Sequence, residues 1–314
     1  MINKKYLSYA GSILTLALLC VFLIFSPEAS YSAKKGITLC AGVVAPTLFP
    51  IFVINGLLVS TGTAHRLSKA FSYPIRKLFG INEIGVYPAL MGLICGAPSG
   101  CIALSSTLED NSVTRNEASV IAVLSSPISF SFLYATVGIK MLGSVKLGVL
   151  LYFINVLSSI AAGRILQAAT AEKMKDHRHA PSLFKQKYHS SFQLSQAITD
   201  AVSKIVSICG AIVFFSSLSG IISSISAIPF PIRALTSLFL EITSGAKLIS
   251  DGMPVNTAFL YLCAGCGWSG ASIICQCVSS VGKRISLRLF LIGKCLCSLF
   301  CLIIGTLVNA LGMI

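Results

Sequence analysis

The chain has 314 residues, 55% hydrophobic and 11% charged, with mean hydropathy +0.86 and formal net charge +14. A soluble domain carries about a quarter charged residues, so the composition excludes a soluble protein and leaves a polytopic helical membrane protein. The basic excess, which in a soluble chain suggests nucleic acid, follows here from the enrichment of Lys and Arg in cytoplasmic loops. No groove of interleaved aromatic and basic residues accompanies it, so no nucleic acid is expected as a partner.

Uncharged runs occupy 6–27, 36–64, 84–108, 118–139, 147–163, 205–232, 252–282 and 295–314. A span needs roughly 17–25 apolar residues, which gives about eight membrane segments, some of them broken or re-entrant. The expected fold is therefore all-α and polytopic. Residues 1–35 form a first transmembrane helix. Its apolar run, Tyr6–Phe25, is long for a signal peptide, although cleavage near Ser32-Ala33 is the rival reading. Residues 36–168 and 197–314 form two pseudo-symmetric halves resembling an inverted repeat. Residues 169–196 form a basic cytoplasmic linker with Lys173, Lys175, Arg178, Lys185 and Lys187. Its His177, His179 and His189 suit either metal or plain solvation.

Several motifs interrupt the apolar runs. Pro46 and Pro50 lie four apart, and each removes a backbone donor, which allows either a kinked helix or a gate. Loop 65–83 carries Arg66, Lys69, Arg76 and Lys77 and is expected on the cytoplasmic side with the amino terminus and the linker. Counting each run as a full span would put the linker outside. The conflict disappears if 84–108 enters and leaves on one side. That run contains Gly92, Gly96, Pro98, Ser99 and Gly100, and Pro98 implies an interrupted helix. A half-helix amino terminus attracts anions, whereas glycines four apart on an unbroken helix would form a packing face. Ser126-Pro127 and Ser129 to Ser131 form another kinked, hydroxyl-rich stretch.

The second half contains Gly265-Cys-Gly267-Trp268-Ser269-Gly270, which reads as a copy of the Gly92–Gly100 break. Pro74-Ile75-Arg76 and Pro231-Ile232-Arg233 precede the two. Paired interrupted segments in two halves point to a secondary-transporter site. The expected substrate contacts are Gly96, Pro98, Ser99, Gly100, Ser269 and Gly270, with Gln276 in support. Glu241, in an apolar neighbourhood with Thr243 close by, is a candidate for a coupling ion or a polar network. The alternative is an interfacial acid paired with Lys247. Lys294 interrupts the last run and either pairs, faces substrate or snorkels. Among twelve cysteines, Cys263-x-x-Cys266 lacks the second pair that a zinc site usually needs, so packing is expected. The chain has no Gly-x-Ser-x-Gly elbow, phosphate loop or His-Glu-x-x-His, so neither enzymatic activity nor a cofactor is expected.

Pro46-Thr-Leu-Phe-Pro50, the Gly92–Gly100 turn, Ser126-Pro127, Glu241-Ile-Thr-Ser-Gly245 and the Gly265–Gln276 run come in the order seen in the sporulation integral membrane proteins of endospore-forming bacteria (the YlbJ or SpoVV type). These resemble the broader nucleoside-recognition, or Gate-domain, membrane proteins. The resemblance covers roughly 36–310. It implies paired helical repeats and passage of dipicolinate, a small planar dianion, from the mother cell across the outer forespore membrane. Ala97-Pro98 and Gly267-Trp268-Ser269-Gly270 depart from the family's pattern. The expected function is a sporulation transporter or facilitator of a small organic anion. The rivals are a nucleoside transporter of the same fold and a non-transporting scaffold of a sporulation complex. The expected partners are the anion, the lipid bilayer and a coupling proton or sodium ion, with homo-oligomer formation left open.

Overall fold

The structure is a computed structural model that describes residues 4–108, 113–175, 193–312 and 314. The acids at 109 and 110 and the linker's histidines lie outside the described residues. The described residues are helical and contain no strand.

Helix α1 spans Lys4–Ile24. Its apolar side chains Ile13, Leu14, Leu16, Leu19 and Leu23 are exposed, as suits a lipid-facing helix. Helix α2 (Ser26–Leu39) continues through a π-turn (Cys40–Val44) into α3 (Ala45–Ser60). The π-turn falls just before Pro46, where the missing N–H and the ring disturb the helical ladder. Together these residues make one apolar helix of 35 residues. Pro46 and Pro50 are exposed, and the stretch runs on as one distorted helical span. Ser32, beside the cleavage position of the rival reading, lies inside this helix and packs on Gly220.

Two short basic helices follow, α4 (Thr63–Ala70) and α5 (Ser72–Phe79). Helix α6 (Val86–Cys95) leaves α5 at 99° after a short 3₁₀ turn. Helix α7 (Ser99–Thr107) then folds back on α6, making a helical hairpin. Next come α8 (Arg115–Leu124), an irregular stretch through 125–129, a π-helix (Phe132–Met141) and the long α9 (Val145–Lys175). After the linker, α10 (Leu194–Ser224) packs along α2 and α3. A second hairpin comprises α11 (Phe230–Leu240) and α12 (Ile242–Gly252). Helix α13 (Val255–Trp268) breaks at Ser269-Gly270 and continues as α14 (Ala271–Val281), and α15 (Leu287–Ala310) closes the chain.

Among the described residues, five helices are long and apolar enough to span a membrane, or six if the bent α5–α6 pair counts as one. Hydropathy alone suggests about eight: runs 84–108 and 118–139 divide into short pieces, and the first run counts only as the shorter apolar helix Gly11–Ile24.

The basic loops gather at one end of the bundle. The Gln167 amide donates to the Gly80 carbonyl, and the Asn82 amide donates to Glu117. Arg115 Nε donates to Ile285 O at 2.9 Å, and Ser286 N donates to Ser119 Oγ at 2.7 Å. The 65–83 loop, the end of α9, the start of α8 and the 282–286 turn therefore share one end, the end expected on the cytoplasmic side. The α6–α7 hairpin starts and finishes at that end. The α11–α12 hairpin enters from the opposite end, where Arg233 Nη1 donates to Ser223 O at the end of α10. Each hairpin is thus followed along the chain by an interrupted helix.

Candidate functional site

Each hairpin ends at mid-height, and each tip meets the interruption in the helix that follows it. At the first tip, α6 stops where Gly96 takes φ +75°, a left-handed value that disfavours any side chain. The Ala97 N–H donates to Pro127 O at 2.7 Å. A Cβ on Gly100 would run into the Ser125 carbonyl and lie 2.9 Å from Gly92 Cα. Gly92 and Gly100 therefore let three backbones meet.

The 125–129 interruption frees polar backbone groups that must find partners inside the protein. The Ser126 carbonyl accepts from Lys294 Nζ at 3.1 Å. The Pro127 carbonyl accepts from the hairpin tip. The Ile128 N–H donates to Asn155 Oδ1 at 2.8 Å. Lys294 is 1% exposed, and no carboxylate of a described residue lies within ion-pair distance of it. It neither snorkels nor pairs with an acid; it holds an unwound backbone. The hydroxyls of Ser99 and Ser125, on the two sides of this contact, are buried without a hydrogen-bond partner.

The second tip is built on Glu241, which is 2% exposed. Its side chain caps α12, accepting from Thr243 N at 3.1 Å and Ser244 N at 2.7 Å. A carboxylate there also meets the positive end of the helix dipole. Lys247 pairs instead with Asp251 at 2.9 Å, so the interfacial Glu241–Lys247 pair is not formed. The tip docks on the α13 break through Trp268, whose Nε1 donates to Phe239 O at 3.0 Å and whose ring stacks on Phe239. Ser269 holds φ +74°, the sole described non-glycine residue with positive φ, and Gly270 follows at +82°. The hydroxyls of Ser269 and Ser298 satisfy the Cys266 and Ala264 carbonyls.

The Gly92–Gly100 and Gly265–Gly270 stretches are thus not structural copies. One is a hairpin tip and the other a helix break. The first tip meets the 125–129 interruption, and the tip capped by Glu241 meets the break at Ser269-Gly270. Pro74-Ile75-Arg76 and Pro231-Ile232-Arg233 likewise differ, lying on the short helix α5 and on a hairpin arm. Serine, proline and glycine share little letter by letter, so the correspondence is legible only in three dimensions. Both hairpins reach across to the other half: α7 packs on α14, and α12 on the π-helix.

Gln276 is away from the tips. It lines a cavity of about 590 Å³ between α7, α10 and α14, in the half of the bundle nearer the basic end. Its Nε2 donates to Ser272 Oγ at 3.2 Å. Lys204 lines the same cavity and is not an expected site residue, because it sits at the edge of an uncharged run next to Asp200 and reads as a membrane-boundary residue. The cysteines are free: Cys101, Cys263, Cys266, Cys277, Cys297 and Cys301 are buried as packing, and no metal-binding cluster occurs among the described residues.

Two hairpins that enter from opposite ends and close on two interrupted helices define a polytopic helical membrane protein with irregular backbone at its centre. No protein-family profile and no solved structure matches the chain. The sporulation integral membrane protein YlbJ of Bacillus subtilis (strain 168) is 24% identical over 263 residues, 73% of this chain and 64% of that protein. The chain is therefore similar over most of its length to the sporulation integral membrane proteins of the YlbJ type, while spanning just under two-thirds of that relative's length.

Proposed function

We propose that this sporulation membrane protein is a transporter or facilitator of a small organic anion, with dipicolinate as the substrate, moved from the mother cell toward the forespore across the outer forespore membrane. The observation that carries the reading is the double contact of hairpin tip and helix break at mid-height. Irregular backbone at membrane depth is tolerated where it is buried or lines a pathway, and paired broken elements in two halves are where transporter sites lie. The tips enter from opposite ends, so withdrawing one hairpin opens the centre toward one side and withdrawing the other opens it toward the opposite side. That is the requirement for alternating access between two inverted halves. Glu241 and Lys294 place one buried acid and one buried base in this central layer, which suits coupling to a proton or a sodium ion. The protein performs no covalent chemistry on its substrate in this reading.

The test is uptake of labelled dipicolinate by proteoliposomes containing the full chain, with and without proton and sodium gradients. Uptake by the wild type and its loss on enlarging Gly100 and Gly270 are expected. Folded protein that takes up no dipicolinate under any gradient would overturn the proposal. Uptake of nucleosides in its place would favour a nucleoside carrier, and uptake of neither would favour a scaffold.

A further inference from the structure

The α7–α10–α14 cavity is within the roughly 300–1,000 Å³ usual for small-molecule sites, and Lys204 is the one charged residue among its described lining. Lys204 lies about 15 Å along the axis from the first residue of α10, well inside the helix. No carboxylate of a described residue is within ion-pair distance of its ammonium. The nearest acid along the helix is Asp200, which accepts a hydrogen bond from Gln196 Nε2 at 2.9 Å.

The remaining lining is neutral, and much of it is already engaged. Ser105, Ser207 and Ser280 each donate a hydroxyl proton to a carbonyl of their own helix, at 2.9, 3.1 and 2.8 Å. Those oxygens offer lone pairs, which an anion cannot use. Donors free to reach a ligand are the three N–H groups of Lys204, the second amide proton of Gln276 and the hydroxyls of Ser203 and Ser279, and of these Lys204 alone carries charge. Phe214 and Phe215 complete one wall with aromatic faces. Lys204 is a half-buried cation in an otherwise neutral lining, with Asp200 one turn away as the nearest opposing charge, and a partly desolvated cation attracts negative charge more strongly than the same cation in water.

We infer that Lys204 is the specificity-determining residue of this cavity. It binds one carboxylate of a small planar organic anion, with the Gln276 amide alongside and the ring against the Phe214–Phe215 wall. Because the cavity lies toward the basic end, this is where the anion is captured on the cytoplasmic side before it reaches the central tips. The inference rests on the anion-transport reading and assigns its entry site.

Cys275 lines the same cavity and is exposed, which provides a readout independent of transport. Wild type, Lys204→Gln and Lys204→Arg would be reconstituted as full chains. Each would be alkylated with maleimide in the presence of pyridine-2,6-dicarboxylate or its neutral diamide, and Cys275 modification would be read by peptide mass spectrometry. Dicarboxylate uptake would be measured in parallel. The dicarboxylate, and not the diamide, should protect Cys275 in the wild type and in Lys204→Arg. Lys204→Gln should lose that protection and raise the KM for dicarboxylate by roughly tenfold to a hundredfold, the scale of one charge-assisted contact. Transport of dicarboxylate by the wild type with unchanged KM and protection in Lys204→Gln would overturn the Lys204 assignment and leave the transport proposal standing. Neither uptake nor protection in the wild type would overturn both.

Discussion

Replacing Gly100 by alanine tests whether the hairpin tip and the 125–129 interruption are locked backbone to backbone. A Cβ at this position would overlap the Ser125 carbonyl and come within 2.9 Å of Gly92 Cα. Both neighbours are main chain, so no side chain can rotate away. Restoring ordinary contact requires the hairpin to withdraw by on the order of 1 Å, which breaks the 2.7 Å bond from Ala97 N–H to Pro127 O. Overpacking a filled interior costs about 1–3 kcal/mol. Leaving a buried backbone group without a partner costs about 1–3 kcal/mol more. The expected loss is therefore roughly 2–6 kcal/mol, a fall in Tm on the order of 3–9 °C for a chain of this length. The control is Gly210→Ala on α10, where nothing lies within 4 Å of the new Cβ. A helix-interior Gly→Ala change there should be neutral or stabilising by up to about 1 kcal/mol. Thermal unfolding of the detergent-solubilised full chain can be followed through Trp268, its single tryptophan, which sits on the second tip contact. The reasoning is refuted if Gly100→Ala melts together with the control and retains its uptake.

Two further substitutions separate stability from function. Glu241→Ala removes the carboxylate that accepts from Thr243 N and Ser244 N, and should cost about 1–3 kcal/mol by loss of a charged cap; Glu241→Gln, which keeps an acceptor, should recover part of the stability in the same melting assay, while only a coupling role makes it lose the response of uptake to an ion gradient. Lys294→Met exchanges a buried, acid-free ammonium for an apolar chain of similar length. Relief of desolvation, worth several kcal/mol, offsets the orphaned Ser126 carbonyl, so Tm should hold or rise while uptake falls at least tenfold; a variant that unfolds, or one that transports normally, counts against the assignment of Lys294 to the break.

The locations of the interruptions were legible because glycine and proline have local consequences. Pro98 and Gly96 end α6, and Ser269-Gly270 ends α13, at the residues where the letters suggest a break, since a missing N–H or a positive φ acts within one turn. The membrane class follows just as directly from the scarcity of charge, because a chain this apolar has no soluble alternative.

Partnership was not legible. The Gly92–Gly100 and Gly265–Gly270 stretches share Ser-Gly and look alike, yet one turns a hairpin and the other interrupts a span. What distinguishes them is whether the next helix folds back, and that is decided by contacts such as Gly100 against Gly92 and Trp268 against Phe239. Lys294 on Ser126, Asn155 on Ile128, and Lys204 in the α7–α10–α14 cavity depend on residues far apart in the chain. By itself the sequence determined that this is an all-helical membrane protein and where two of its helices break. Only the tertiary structure decided which tip meets which break and which buried groups satisfy the freed backbone, because in an apolar surrounding every exposed N–H and C=O must find its partner across the fold and not from water.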